Sequence, residues 1–383
     1  MSTHPQDPLQ TGFDYLALHV RDSSLLFVVL PTEAPLWRYW GPRLPDGARP
    51  GVPLRDGRPL PSFMLDTDQP LTVCPSFGVG WFGQSALLAH RQGRDFAQAF
   101  QRCEVEWRQP GQAVVLHLFD DVARLRLDLS IELQPETDML TLSSVLTNLG
   151  DAVLDLQWLA SATLPLPGHS HTVRHYAGQH VHEFIEQEQA LTRSVWKRES
   201  RRGRTSHDCF PGAVVLTPGA TDDAGLVYGG HLAWSGNHQQ FIEWLHDGQY
   251  QWQMGEWLAP GEGRLEPGQS WQTPAWVASC STRGCNGLAA NFHAALRARL
   301  DWPGGRMRPR PVHLNTWEGF YFDVHPGPVK ELASAAAAVG VERFVLDDGW
   351  FHGRHHDRAA LGDWWPDASK FPQGLGELVA HVN

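Results

Sequence analysis

The amino-acid sequence predicts a multi-domain protein in which a large β-sandwich precedes a segment of alternating strands and helices. Two observations carry this prediction. Apolar and polar residues alternate in short runs, separated by turn residues, through the first 285 residues. Beyond residue 310 the pattern changes to strand, helix, strand, helix. At 383 residues the chain is long enough for two or more domains.

The clearest strands of the first region form a predicted hairpin. Leucines and an isoleucine alternate with polar residues over 124–133, residues 134–138 read as a turn, and a second alternation covers 139–149. The runs at 114–119 and 153–159 look like neighbours in the same sheet. We therefore expect residues 1–285 to form a sandwich of two sheets.

A helix and a connector follow this sandwich. Leu288, Phe292 and Leu296 recur at helical spacing within 286–300, and residues 301–310 are rich in proline, glycine and arginine. We assign residues 286–310 to a linker between domains.

Residues 311–383 read as two consecutive strand–helix units. The predicted strands are 312–315 and 343–346, and the predicted helices are 328–339, which Gly340 ends, and 374–381. Such units imply parallel strands, as in the opening of an eight-fold β/α barrel or of a doubly wound sheet.

The composition excludes some partners. The 31 basic and 42 acidic residues leave a net charge of −11, which argues against nucleic acid or an anionic membrane. The first 13 residues lack a secretory signal pattern, and no run is apolar enough to span a bilayer. Five scattered cysteines indicate reduced thiols in a cytoplasmic protein. The 17 tryptophans favour a carbohydrate protein only slightly.

The main candidate site is Asp347 and Asp348, which follow the apolar strand 344–346. In β/α barrels the carboxyl ends of strands carry the ligand-binding residues. The two carboxylates would bind ligand hydroxyls or a metal, or else lie in a solvated loop that caps a helix. Neighbouring side chains of a strand point to opposite sides, so one Asp would face the ligand while the other anchors a loop.

Three tryptophans are candidates beside these carboxylates. Trp317 ends the first strand, and shares a rim with Asp347 if the two strands are paired and parallel. Trp350 follows Asp348 and Gly349, and Trp364 lies in the long loop after the second strand. Trp317 is equally explained as a packing residue between the domains, and Trp364 as one that fixes its loop to the barrel.

Other motifs carry weaker signals. His180 and His182 share a strand face, as two metal ligands would, but a surface strand with incidental histidines is more common. Cys280 and Cys285 lack zinc spacing. We predict no metal. The basic run 199–207 is typical of a solvated turn or of interface ion pairs.

The order of several motifs resembles the bacterial α-galactosidases of glycoside hydrolase family 36. The motifs lie at 315–318, 321–323, 344–351, 361–364 and 371–375, with 199–207 and 228–237 in the first region. The resemblance covers essentially the whole chain. It implies a β-supersandwich, a catalytic (β/α)8 TIM barrel and a small C-terminal β domain, of which this chain holds the first and the truncated opening of the second.

The resemblance implies retaining hydrolysis of terminal α-D-galactosyl residues from melibiose- or raffinose-type galactosides, without a cofactor, by a homo-oligomer. It makes Asp347 and Asp348 galactose-binding and Trp317 a pocket wall, and we place Trp350 and Trp364 with them as substrate-binding residues. A preference for α-N-acetylgalactosamine instead of galactose stays open.

Two departures from the family pattern limit the implied activity. The family's nucleophile, in a Lys-x-Asp-x-Asn motif, and its acid/base Asp lie downstream of residue 383, so no catalytic residue is assigned and we expect this chain alone to be inactive. The family's acidic residue and arginine after the glycine-rich turn 75–80 are replaced by Trp81, Phe82 and Gly83.

The alternative is a non-catalytic carbohydrate-binding or assembly module. A reading frame that continues past Asn383 favours the enzyme, and a stop codon with a stable product favours the module.

Overall fold

The structure is a computed structural model that describes residues 14–30, 32–47, 69–205 and 208–383. The chain divides into two compact units, residues 1–299 and 300–383. The division drawn from the sequence, at 1–285, 286–310 and 311–383, stays a prediction about domains.

The described part of the first unit contains twenty strands and one long helix, α1 (Gly284–Arg299). The strands are β1 (Asp14–His19), β2 (Ser23–Val29), β3 (Leu36–Pro42), β4 (Leu87–His90), β5 (Arg102–Gln109), β6 (Ala113–Asp120), β7 (Leu125–Gln134), β8 (Met139–Asn148), β9 (Leu154–Leu159), β10 (Ala162–Leu166), β11 (Thr172–Gln179), β12 (His182–Ala190), β13 (Val195–Ser200), β14 (Gly212–Leu216), β15 (Val227–Leu232), β16 (His238–Trp244), β17 (Tyr250–Glu256), β18 (Gly263–Leu265), β19 (Ser270–Gln272) and β20 (Trp276–Ser281).

These strands form four antiparallel sheets. The largest has ten strands in the order β12–β11–β14–β15–β20–β8–β7–β6–β5, with β19 also paired to β8. A four-stranded sheet has the order β10–β17–β16–β13, and two three-stranded sheets are β1–β2–β3 and β18–β9–β4. The sequence analysis predicted two sheets. The number differs because alternation identifies each strand but does not say which strands share a sheet.

The predicted hairpin is confirmed as β7 and β8. Their register runs from Leu125 opposite Asn148 to Gln134 opposite Met139. Every second residue of β7, from Leu125 to Leu133, is buried. Period-two alternation therefore reports which face of this hairpin packs on the core.

Two tryptophans join the largest sheet to the four-stranded sheet. Trp252 lies on β17, Trp276 lies on β20, and both are 0% exposed. Their ring centroids are 5.1 Å apart with an interplanar angle of 72°. Such an edge-to-face pair fills the space between two sheets with two large apolar side chains.

Helix α1 packs on the largest sheet and belongs to the first unit. Leu288 and Ala295 are buried against β15 and β20, whereas Leu296 is 60% exposed. A Cβ atom at Gly229 of β15 would lie 2.5 Å from Leu288 Cδ2. The glycine therefore lets the helix approach the strand closely.

The described elements of the second unit are β21 (His313–Asn315), α2 (Trp317–Phe320), α3 (Pro326–Ala338), β22 (Arg343–Val345) and α4 (Gly376–Val382). Strands β21 and β22 are parallel, with His313 opposite Arg343 and Asn315 opposite Val345. Both strands and the helices α3 and α4 were predicted within about two residues, whereas the single turn α2 was not. None of the helices in the described ranges is long and apolar enough to cross a bilayer.

Candidate functional site

The carboxyl ends of β21 and β22 lie side by side and are joined by hydrogen bonds. The Asn315 Nδ2 group donates to Asp347 Oδ2 at 2.5 Å, and the Trp317 amide donates to Asn315 Oδ1 at 2.7 Å. The Asp347 amide donates to Thr316 Oγ1 at 3.0 Å. This arrangement confirms that Asp347 and Trp317 share one rim, which pairing of parallel strands brings about.

Asp347 is only partly buried and keeps acceptor capacity. Its Oδ1 accepts the amide of Asp348 at 2.7 Å, and its Oδ2 accepts Asn315. A carboxylate offers about four acceptor positions, so roughly two remain for a ligand. A polar ligand with hydroxyl donors fits these positions.

Asp348 is held by an arginine. The Arg354 guanidinium donates to both carboxylate oxygens, from Nε to Oδ1 at 2.8 Å and from Nη2 to Oδ2 at 2.7 Å. These hydrogen bonds, followed by the one from the Gly349 amide and by the charge of Arg354, hold the pKa of Asp348 below its usual value. Asp348 is therefore the loop anchor of the pair in this structure, while its side chain remains 22% exposed.

Gly349 turns the chain away directly after the two carboxylates. Its φ of 89° lies in the left-handed region, and a Cβ atom there would be 2.9 Å from Phe322 Cα. Only glycine fits both the conformation and the contact. The glycine in the Asp-Asp-Gly-Trp motif therefore shapes the rim.

A buried lysine forms hydrogen bonds with the backbone of the loop that follows β22. Lys370 is 7% exposed, and its ammonium group donates to the carbonyls of Phe322, Gly349 and Arg354 at 2.7, 2.7 and 3.0 Å. Burial lowers its pKa. Asp367, 4% exposed, accepts the amides of Gly353 and Ser369 at 2.8 Å each.

The other two candidate tryptophans each contact the ring of the same phenylalanine. The Trp350 and Trp364 rings lie 5.5 and 4.7 Å from the ring of Phe351, which is 2% exposed. Trp350 also packs against the apolar core of the unit, whereas Trp364 is 61% exposed. Among the described residues, no hydrogen bond or ring contact links Trp364 to Asp347 or Trp317.

The sequence reasoning missed Arg354, Lys370 and Asp367. They lie between β22 and α4, where no periodic pattern indicates which side chains face inward. The one available signal is that each is charged and lies within the region 344–375 that holds the family motifs.

The basic run of the first unit is held by local interactions. Glu199 pairs with Lys197 and Arg201, and Arg202 pairs with Asp208. The Gly203 amide donates to Asn237 Oδ1 at 2.7 Å, which joins the two motifs of this region. Ser206 and His207 lie outside the described residues.

The histidines do not form a metal centre in the part of the chain that the structure describes. His180 is 87% exposed on its side chain and lies near Glu183. Across the described ranges, no group of three or more His, Cys, Asp or Glu side chains is arranged to hold a metal ion.

Comparison with known proteins gives consistent matches along the chain. The family model of the glycosyl hydrolase family 36 N-terminal domain matches residues 33–266, and the melibiase model matches residues 270–383. An α-galactosidase of Escherichia coli is 39% identical over 327 residues, which are 85% of this chain and 45% of that protein. The α-galactosidase AgaA of Geobacillus stearothermophilus is 33% identical over 285 residues, which are 73% of this chain and 38% of that protein.

Solved structures agree with these matches. The crystal structure of AgaA superposes with a TM-score of 0.80 and 28% identity, over 97% of this chain and 55% of that chain. A variant of AgaA in complex with raffinose superposes with a TM-score of 0.79 and 27% identity, over the same shares.

The chain spans less than half the length of these two curated relatives. The N-terminal family model nevertheless covers more than half of its residues, and the melibiase model covers most of the rest. The chain therefore belongs to glycoside hydrolase family 36.

Proposed function

We propose that the chain is the N-terminal part of a retaining α-galactosidase that removes terminal α-D-galactosyl residues from melibiose- or raffinose-type oligosaccharides. The observation that carries the proposal is the rim of Asn315, Asp347 and Trp317, in the segment that the melibiase model matches. The curated relatives are α-galactosidases, and solved variants of AgaA hold raffinose and stachyose.

The proposed architecture is a β-supersandwich followed by the first two of eight barrel units. The four antiparallel sheets that the described strands of the first unit form support the former, and the parallel pair β21–β22 with helices α3 and α4 supports the latter. Ligand-binding residues of such barrels lie at the carboxyl ends of strands, where Asp347 and Asp348 follow β22.

In this proposal five residues bind the sugar in different ways. Asp347 and Asp348 accept hydrogen bonds from sugar hydroxyls through their free acceptor positions. Trp317, Trp350 and Trp364 offer apolar faces on which the C–H faces of sugar rings pack. We assign no catalytic role to these residues.

Retention of configuration requires two further carboxyl groups about 5–5.5 Å apart, one as nucleophile and one as acid/base. We assign neither group to residues 1–383, and propose that the part of the relatives' length outside this chain supplies both. The sugar-binding rim and the reacting carboxylates would then face each other across one pocket.

The partners and the compartment belong to the same proposal. We propose a homo-oligomeric enzyme in the cytoplasm, acting without a cofactor on α-galactoside oligosaccharides. All five cysteines lie in the described residues and are free thiols, which a reducing compartment preserves.

The test substitutes Asp347 in the full-length product of the reading frame that contains this chain. Asp347→Ala leaves sugar hydroxyls without their acceptor, so kcat/KM for melibiose should fall on the order of 100-fold or more. Asp301→Ala, which removes an exposed carboxylate from the connector, is the matched control and should leave kcat/KM unchanged.

Two outcomes would contradict the proposal. An unsubstituted full-length enzyme that does not hydrolyse α-galactosides overturns the activity, and wild-type kinetics in Asp347→Ala overturn the assignment of the rim. The 383-residue chain alone should show no turnover, since it lacks the two reacting carboxyl groups.

A further inference from the structure

Asp348 has few acceptor positions left for a ligand. Oδ1 accepts the amide of Gly349 at 2.7 Å and Nε of Arg354 at 2.8 Å, and Oδ2 accepts Nη2 of Arg354 at 2.7 Å. An ionised carboxylate has about four lone-pair positions. Three are taken, so about one remains, on Oδ2. A hydroxyl that binds there must approach from a single direction.

Arg354 is itself held in one orientation. The residue is 6% exposed, and its Nη1 donates to the carbonyl of Ala359 at 2.7 Å. Its guanidinium carbon lies 5.2 and 5.7 Å from the ring centroids of Phe322 and Phe351. The guanidinium donates to both oxygens of the Asp348 carboxylate and also to the Ala359 carbonyl. These hydrogen bonds fix the orientation of the carboxylate as well as that of the arginine.

Lys370 forms hydrogen bonds with the backbone at and before Arg354. Two of the three carbonyls that accept from its ammonium group belong to Gly349 and Arg354, at 2.7 and 3.0 Å. These residues are the two ends of the segment that leads from the carboxylate to the guanidinium. The buried ammonium group therefore links the two ends of this segment by hydrogen bonds.

We propose that Arg354 is a positioning residue for sugar binding: it acts through Asp348, whose carboxylate it turns so that one Oδ2 position faces the ligand. This inference rests on the proposed function, because it concerns the same rim. In the proposal Arg354 does not touch the sugar. Its effect on the enzyme therefore depends on the presence of the Asp348 carboxylate.

A double-mutant cycle in the full-length enzyme tests this dependence. Arg354→Gln, Asp348→Asn and the double variant are compared by KM and kcat for melibiose and by thermal unfolding. Loss of a hydrogen bond to a charged group raises KM for each single variant roughly 10- to 100-fold, with kcat little changed. If Arg354 acts through Asp348, the double variant is no worse than Asp348→Asn alone.

Arg358→Gln is the matched control, because Arg358 lies in the same loop with an exposed side chain. Its KM should stay at the unsubstituted value. Arg354→Lys is the second variant in case Arg354→Gln does not fold. A lysine keeps the charge but cannot donate to both oxygens as a fork, so its KM should lie between those of the unsubstituted enzyme and Arg354→Gln.

Two results would overturn this inference but not the proposed function. One is a double variant whose rise in KM equals the product of the rises in the two single variants. The other is an Arg354→Lys enzyme with the KM of the unsubstituted enzyme. An unsubstituted enzyme without α-galactosidase activity overturns the proposed function, and this inference with it. The two failures are therefore distinguished by the activity of the unsubstituted enzyme.

Discussion

His175, on β11, is buried beside a cation. The residue is 3% exposed, and its Nδ1 contacts the guanidinium of Arg198. Burial, and then the charge of Arg198, lowers the pKa of His175 to about 4. His238 on β16 is also buried, which lowers its pKa as well. Native His175 therefore stays neutral at pH values where an unfolded histidine takes up a proton.

We predict that His175 makes the first unit sensitive to acid. Below about pH 6.5 the unfolded state binds a proton that the native state does not. The free energy of unfolding therefore decreases as the pH is lowered from about 6.5 to about 4. His175→Gln removes this titration, and should reduce the loss of stability between pH 7.5 and pH 5 in urea unfolding followed by circular dichroism.

His180→Gln, at a side chain that is 87% exposed, is the control for a histidine-to-glutamine change at the surface. An equal loss of stability in the unsubstituted and His175→Gln chains would contradict the prediction.

The sequence predicted the polar end of β22 but not the residues that hold it in place. A strand that ends in two carboxylates indicates a polar rim, and neighbouring side chains of a strand point to opposite sides, so different roles for Asp347 and Asp348 were foreseeable. Arg354 was not, because it reaches Asp348 from an irregular loop.

At the level of elements, the turn after β22 depends on a backbone conformation. Gly349→Ala places a side chain at a φ of 89° and 2.9 Å from Phe322 Cα. Such a conformation costs a non-glycine residue about 1–3 kcal/mol. We predict faster native-state hydrogen exchange at the amides of Asp348 and Gly353, both of which are hydrogen-bonded in this region.

Gly376→Ala is the control for this prediction. Gly376 begins α4, and a Cβ atom there would meet nothing within 4 Å. Alanine favours a helix over glycine, so this change should leave exchange at Asp348 and Gly353 as it was. Unchanged exchange in Gly349→Ala would show that the turn tolerates a side chain.

Elements with a strong local pattern were predictable, and their long-range pairing was not. The β7–β8 hairpin and the parallel β21–β22 pair follow from alternation and from the strand–helix order. The position of β20 between β15 and β8 does not, because its pattern marks a buried strand and says nothing about its neighbours. The described strands of the first unit therefore form four sheets where two were expected.

At the scale of the whole molecule, the first unit depends on aromatic side chains between its sheets. Trp252→Ala should cost about 3–5 kcal/mol, because it removes a fully buried indole and leaves a cavity beside Trp276. Urea unfolding monitored by tryptophan fluorescence measures the change.

Trp107→Ala is the matched control, on the edge strand β5, where the side chain is 40% exposed. It should cost clearly less than Trp252→Ala. Equal costs for the two substitutions would show that the pair Trp252–Trp276 is not a main contact between the sheets.

The central place of β20 has a consequence during synthesis. Strand β20 pairs with β8, yet Trp276 follows Asn148 by roughly 130 residues, so the ribosome must make β9 to β19 before the largest sheet can close. At about 5–20 residues per second this takes on the order of ten seconds. Throughout that time the β8 edge of the nascent hairpin β7–β8 lacks its partner strand, and such an unpaired edge is a template for pairing with another chain.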